Sequence, residues 1–485
     1  MSVAIEGLKP ELVWKHFAAI ARIPRCSKNE AAVAQYVLDA AKHLALVARQ
    51  DKHGNVVVKK PATPGKENFR SLALQGHLDM VCEKNADKVH DFSKDPIELV
   101  RKDNTLMANG TTLGADNGIA VAANLAIMES SDIEHGPLEL VFTVDEETGL
   151  TGAANLEPDF LESRTLLNLD SEDEGELYVG CAGGRNTTGF WRFDFEKAPP
   201  KSVAQTVWVK GLRGGHSGVE IDKGRGNSIK ILNRVLIALS ELSARVSSIN
   251  GGNKSNAIPR EAEALIFLPK NKIAQAQEIV GRHNEMIRAE IPSVEPDLVI
   301  SLAERDSARK GRVLPKALQR RILRTLSAMP HGVTKMSADI SWLVETSTNL
   351  AVVRTEKKQV VVTTSQRSSV ASEIDEICES VKAVFELGKA KVESTDGYPG
   401  WKPNMNSSIL KVARDTYQAL FGKEPEVKAV HAGLECGIIA ERFPGMDMVS
   451  FGPTLRGVHS PDEVIYIDTV EKFWKFLLGI LKSMN

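Results

Sequence analysis

The chain has 485 residues, with 61 Lys and Arg against 63 Asp and Glu and a formal net charge of −2 at pH 7. It is too long for one ordinary domain, and so even a charge balance excludes a general attraction to nucleic acid or to an anionic membrane. No apolar run reaches the roughly 18 residues of a membrane helix, and the start "MSVAIEGLKPELVWKHF" has neither a basic segment nor a signal-type core, so no membrane partner and a cytoplasmic location are expected.

Taken in order, "ELVWKHFAAIARI" and "NEAAVAQYVLDAAKHLAL" carry helical periodicity, whereas "GNVVVKK", "SLALQGHLDM", "PLELVFTV" and "RTLLNLD" are apolar runs of strand length. Such alternation predicts an α/β domain with a mixed, mostly parallel sheet. At "CAGGRNTTGF" a Gly-rich break interrupts it. Beyond the break lie "TVWVKGLRGGHSG", the helix "GNSIKILNRVLIALSELSARV", the strand "EAEALIFLP" and a helix from Lys272. This pattern, continuing to about Ala390, predicts an inserted α+β domain, divisible into two related halves. "STDGYPGWKPN" reads as the return linker. The expected domains are therefore 1–186 with 396–485, and an insertion at 187–395. Five cysteines, Cys26, Cys82, Cys181, Cys378 and Cys436, are scattered without CxxC spacing. They read as free thiols of a reducing compartment, Cys436 as an inert buried one.

Three predicted strands end in the same way. "SLALQGHLD" ends in His77 and Asp79, "LELVFTVDEE" in Glu146 and Glu147, and "TLLNLD" in Asp170. In open α/β sheets, sites form outside the carboxyl ends of the strands. A fourth acid, Asp116, opens the helix "NGIAVAANLAIME", where negative charge is favoured. His459 lies in a loop after the strand "MDMVSFGP". Each residue alone is ordinary: a solvated acid, a helix cap or a core histidine. Asp145 reads as solvated or capping. Together, His77, Asp116, Glu147, Asp170 and His459 offer two imidazoles and three carboxylates, a donor set suited to Zn²⁺, with Co²⁺ or Mn²⁺ as substitutes. One bridging carboxylate would allow two ions, whose charge would offset the repulsion among adjacent acids. Asp79 lies two residues from His77, on the same face of an extended strand, where it can accept from the ring.

The motifs "GHLDM", "GADNGIAVA", "TVDEETGLTGA", "NLDSEDEG" and "GVHSPDE" resemble, in order and over the whole chain, the site motifs of the M20 di-zinc metallopeptidases. "GLRGGHSG" resembles that family's lid motif, which makes the insertion an expected lid. "HAGLECG" and "GYPGW" point within the family toward dipeptidases acting on Xaa-His, including β-alanyl-histidine. The resemblance implies two Zn²⁺ per subunit. Asp116 would bridge them, His77 and Asp170 would hold one ion, and Glu147 and His459 the other. It implies Glu146 as general base for the bridging water and a cis peptide between Asp116 and Asn117. His216 would stabilise the oxyanion. Arg367 in "TTSQRSS" would take the substrate carboxylate, Asn256 would lie near the substrate, and Glu435 would meet the free amine. The substrate is then a small peptide, and a homodimer is one expected assembly. Two other activities fit the same site: an N-acyl amino acid amidohydrolase, or a broad di/tripeptidase.

Overall fold

The structure, a computed structural model, describes residues 3–305 and 311–484. They form two compact units. The first comprises Met1–Cys181, Trp401–Ala429 and Leu434–Asn485; the second comprises Ala182–Gly400 and Val430–Gly433. The division thus falls a few residues outside the expected 186 and 396, and the start of "HAGLECG" goes to the second unit while Glu435 stays in the first.

The first unit holds an eight-stranded sheet. Its order is Val47–Gln50, Val56–Lys60, Leu138–Thr143, Leu72–His77, Thr165–Asn168, Asp447–Ser450, Glu176–Cys181 and Glu426–Val430. The four strands from Leu138–Thr143 to Asp447–Ser450 run parallel, and antiparallel strands flank them. Every residue of Leu72–His77 and Leu138–Thr143 is buried, as in a parallel sheet covered on both faces. Helix Ala115–Glu129 is buried almost throughout, because small and aliphatic residues surround its axis. Gly76 lets this helix approach the sheet: a Cβ there would lie 2.6 Å from both Ala120 Cβ and Asn117 Oδ1. Leu74, Leu140, Phe142, Leu167 and Val449 lie in one buried cluster. Each such side chain contributes about 1.5–3 kcal/mol, which makes the sheet a firm base for groups at its carboxyl edge. A smaller four-stranded sheet joins Leu455–Arg456, Val464–Tyr466, Thr105–Ala108 and Leu99–Lys102. Its hairpin, Leu455–Arg456 against Val464–Tyr466, presents His459 on its loop.

The second unit is an antiparallel α+β structure. One half runs through Ser202–Lys210, helix Ser228–Ser240, Arg245–Gly251, Ala262–Pro269, helix Ile273–Glu290 and Val299–Glu304. The other runs through Gly183–Arg192, helix Lys316–Ala328, Val344–Thr355, Gln359–Ser368, helix Ala371–Leu387 and Lys391–Ser394. Both lay their strands side by side in the order fourth, first, third, second. The halves are therefore topologically alike, the first lying between the opening strand and first helix of the other. They meet where Gly251 pairs with Val353.

One expectation fails. Cys26 and Cys82 are not free thiols but a disulfide, with Cα atoms 5.7 Å apart. The reason is tertiary. Met80 N–H donates to Arg25 O at 3.1 Å, and Cys26 pairs with Met80 in a parallel bridge, which closes a sequence separation of 56. Cys181, Cys378 and Cys436 are free and buried. Among the described residues, no helix is long and apolar enough to cross a membrane.

Candidate metal centre

Parallel strands bring their carboxyl ends to one edge, so residues distant in sequence become neighbours there. His77 ends Leu72–His77, and its Nε2 lies 3.2 Å from Asp116 Oδ1 and 3.4 Å from Asp170 Oδ1. His459 Nε2 lies 3.1 Å from Asp116 Oδ2 and 2.9 Å from Glu147 Oε2. Two triads result, His77–Asp116–Asp170 and Asp116–Glu147–His459; within each, one ligand atom per residue lies within 4.8 Å of the others. Asp116 belongs to both. The peptide between Asp116 and Asn117 is cis. Glu146, with His77 and Glu147, forms a third such group.

Asp79 ties two strand ends together. Its Oδ1 is 3.3 Å from His77 Nδ1. Its oxygens also accept from the N–H groups of Glu146 (3.0 Å) and Glu147 (3.2 Å) and from Ser27 Oγ (2.8 Å). Burial works to raise its pKa, but His77, the Glu146 amide and Ser27 outweigh it and hold the carboxyl at about 2. Asp145 is not solvated: it is buried, and its carboxylate accepts from the hydroxyls of Thr148 and Thr151. Asp145, at φ +51, opens the short helical turn that carries Glu146 and Glu147.

The donor set fits divalent cations. Glu147 Oε1 is buried without a hydrogen-bond partner, an arrangement costly unless a cation or proton compensates it. Burial, and then the crowding of Asp116 and Glu147 against the opposing pull of His77, push Asp170 up to about 7. Hydrogen bonds to Asp116 and Glu147 push His459 up to about 11. Excess negative charge here thus draws protons onto the ligands, and a cation would take their place.

Several polar residues escaped the sequence reading. Asn117 accepts from His77 N–H at 3.2 Å and donates to Leu169 O at 2.9 Å, pinning two strand ends. Beneath the acids, Gln75 and Thr143 donate to Glu435 Oε2, while Asn168 donates to Gln75 Oε1 at 2.6 Å. Glu435 is fully buried and its Oε1 has no partner. Burial, opposed by His77 and assisted by Asp170, raises it to about 7. Only their placement inside buried strands marks Gln75, Thr143 and Asn168, and periodicity hides that.

His216, Asn256 and Arg367 lie in the second unit. His216 pairs with Ala257 in a short ladder, and Ser217 N–H donates to Asn256 O at 2.9 Å, leaving the Asn256 side chain exposed. His216 Nδ1 accepts from the Gly218 and Val219 amides, both at 3.2 Å. Burial and then the Arg367 charge lower its pKa to about 4. At neutral pH the ring is therefore neutral, with its proton on Nε2. Arg367 is buried, donates to Tyr398 Oη at 2.8 Å, and has Nε without a partner. His431, also missed by the sequence, pairs its Nε2 with Ser347 Oγ at 2.7 Å. Burial and then Arg367 lower it to about 3.

Such a parallel sheet edge with two carboxylate-histidine triads defines a class, and the chain belongs to it: the profile of peptidase family M20/M25/M40 matches residues 73–483. Over 482 residues the chain is 41% identical to the cytosol non-specific dipeptidase of Escherichia coli (strain K12), covering 99% of each. It is similar, at 42% identity and TM-score 0.92, to the crystal structure of aminoacylhistidine dipeptidase from Vibrio alginolyticus, with 99% of this chain and 98% of that one covered. Aminopeptidase PepT from Bacillus cereus ATCC 10987, 16% identical with TM-score 0.57 over 98% of this chain and 99% of its own, shares the fold.

Proposed function

We propose that the chain is a metal-dependent dipeptidase that works with two divalent cations, zinc first, with cobalt or manganese as substitutes. His77, Asp116 and Asp170 would hold one and Asp116, Glu147 and His459 the other. The observation that carries this reading is the pair of triads sharing Asp116. Two cations so held would polarise a peptide carbonyl and make water acidic enough to react near neutral pH. The remaining work falls to the chain. Glu146 stands beside a ligand but outside both triads, which suits a group that takes a proton from water and returns it to the leaving amine. Asp79 orients His77 and the turn bearing Glu146 and Glu147. His216, with its proton on Nε2, is suited to donate to an oxyanion. The Arg367 guanidinium suits the carboxylate of a dipeptide, with Asn256 as a further substrate contact.

The substrate side follows from chemistry and from the relatives. Glu435, a buried carboxylate with one unpartnered oxygen, suits a free ammonium and disfavours N-acylated substrates. One relative's name says non-specific dipeptidase and another's aminoacylhistidine dipeptidase, so we assign dipeptides as the class, with Xaa-His and β-alanyl-histidine among them. The name of the E. coli relative supports a cytosolic location. A homodimer is the proposed assembly. The test is hydrolysis of β-Ala-His, Gly-His, Ala-Leu, a tripeptide and N-acetyl amino acids by the metal-reconstituted protein. Free dipeptides should be cleaved, chelator should abolish turnover, and blocked substrates should fail. Preferred turnover of N-acetyl amino acids would replace this reading with the amidohydrolase; equal turnover of tripeptides would broaden it to a di/tripeptidase.

A further inference from the structure

The centre contains a buried carboxylate that no step above uses. Glu463, 2% exposed, lies on the same hairpin loop as His459. Its two oxygens accept from four successive amides. Oε2 takes Leu113 (2.8 Å) and Gly114 (2.9 Å), and Oε1 takes Ala115 (2.7 Å) and Asp116 (3.3 Å). These are unpaired amides at the start of helix Ala115–Glu129, where a negative charge is favoured. The turn they form leads directly into Asp116, the residue shared by both triads.

Other contacts make this a rigid linkage rather than a surface cap. The loop is closed on itself: Glu463 N–H donates to Ser460 O at 3.1 Å and Ser460 Oγ to Gly457 O at 2.7 Å. The strand that follows Glu463 pairs with the strand leading toward the Asp116 turn, Val464 against Met107. From the other side, buried Arg25 donates to Leu78 O (3.0 Å), to Asp79 O (2.9 Å) and to Gly114 O. The fit is tight. Gly114 has φ +69, and a Cβ there would lie 2.5 Å from Arg25 Nη2; one on Gly118 would lie 2.6 Å away. The turn is thus held between one carboxylate and one guanidinium of opposite charge.

We propose that Glu463, backed by Arg25, is a positioning residue of the metal centre: it locks the Leu113–Asp116 turn to the His459 loop so that Asp116 and His459 approach the cations in fixed register. This inference rests on the metal-dependent reading above. A helix cap alone would add stability and leave the ligand geometry unchanged. A positioning role predicts more, because the amides Glu463 holds include that of Asp116 itself.

The test is Glu463→Gln, nearly isosteric, whose NH₂ cannot accept and so abandons two of the amides. Binding of Co²⁺ alone to the metal-free protein is followed by calorimetry, and the visible spectrum is recorded at saturation, with kcat, KM and the melting temperature of the metal-free form. Affinity should fall about 10–100-fold, the range for groups that orient metal ligands. The saturated Co²⁺ bands should differ from wild type, and kcat should fall with KM within about threefold. Glu463→Asp, which keeps the charge on a shorter stem, should recover part of the affinity, and it gives the same readouts if the Gln variant does not fold. Wild-type affinity and spectrum in these variants, with only the melting temperature lowered, would overturn the proposal and leave the metal centre standing. A wild-type protein that takes up no Co²⁺ would overturn the metal-dependent reading and this inference with it.

Discussion

Glu146→Gln separates metal binding from chemistry. Glu146 belongs to neither of the triads that share Asp116, so the amide should leave metal content and KM near wild type. Its environment also sets what the metal-free protein does. Burial, opposed by His77 and reinforced by Asp170, Glu435 and Glu147, pushes the Glu146 carboxyl well above its ordinary 4.5. A carboxyl raised in this way favours the protonated folded state. It costs wild-type stability progressively as pH climbs above the unfolded value, and Gln carries no such cost. Metal-free wild type and variant should melt together near or below pH 4.5, and the variant should melt higher as pH rises. With cations bound, their charge opposes those same causes and frees Glu146 to act as a base. Losing a general base lowers kcat by about 10²–10⁴, or roughly 2.7–5.5 kcal/mol of barrier. The assay is Gly-His hydrolysis by chromatography, beside elemental analysis of bound metal. A Gln variant with kcat within about tenfold of wild type and full metal content would remove Glu146 from the mechanism.

Asp116→Ala removes the donor common to both triads and should lose both equivalents of metal, whereas Asp170→Asn should keep the Asp116–Glu147–His459 ion; elemental analysis after dialysis distinguishes them. Metal uptake at pH 7 should release protons. His459 is raised to about 11, and His77, despite the downward effect of burial, is held well above 6.5 by Asp170, Asp116 and Asp79, yet cations bind neutral imidazole. Apparent affinity therefore rises with pH, and the charged histidines stabilise the metal-free fold below about pH 6.5, an effect lost as pH climbs through the folded values and damped at His459 by its half-exposed ring. Calorimetry in buffers of different ionisation enthalpy reads the release directly, and none would contradict the charge balance described here. Arg367→Lys loses the planar fork and should raise KM for free dipeptides roughly 10–150-fold, equivalent to one charged hydrogen bond of about 1.5–3 kcal/mol. Dipeptide amides should be unaffected, and an equal effect on both would dissociate Arg367 from the carboxylate.

The strand-end acids were legible because the sequence marks them locally: an apolar run, then His77 and Asp79, Glu146 and Glu147, or Asp170. The parallel centre of the sheet was legible from the same runs. What lay hidden depends on neighbours distant in the chain. Gln75, Thr143 and Asn168 sit inside apolar strands, and only the meeting of those strands makes them a network under Glu435. Arg25 and Glu463 look like surface charges until the turn at Gly114 lies between them. Cys26 and Cys82 have no motif, and a single bridge to Met80 brings them together. The likeness of the two halves of the second unit was partly visible as strand-helix content, but one half lies within the other, so no tandem repeat appears along the chain.

The order in which the first unit acquires its parts has a consequence for biosynthesis. Asp116 and His459 are 343 positions apart, a span that takes roughly 20–70 s to translate at about 5–20 residues/s. Within that interval strand Thr165–Asn168, once made, waits for Asp447–Ser450, its parallel neighbour, with that edge unpaired, while the intervening residues of the second unit can already fold. An open apolar edge is where chains pair wrongly with one another. The nascent protein therefore passes through a stage at which its sheet is adhesive and its ligand set lacks the last histidine.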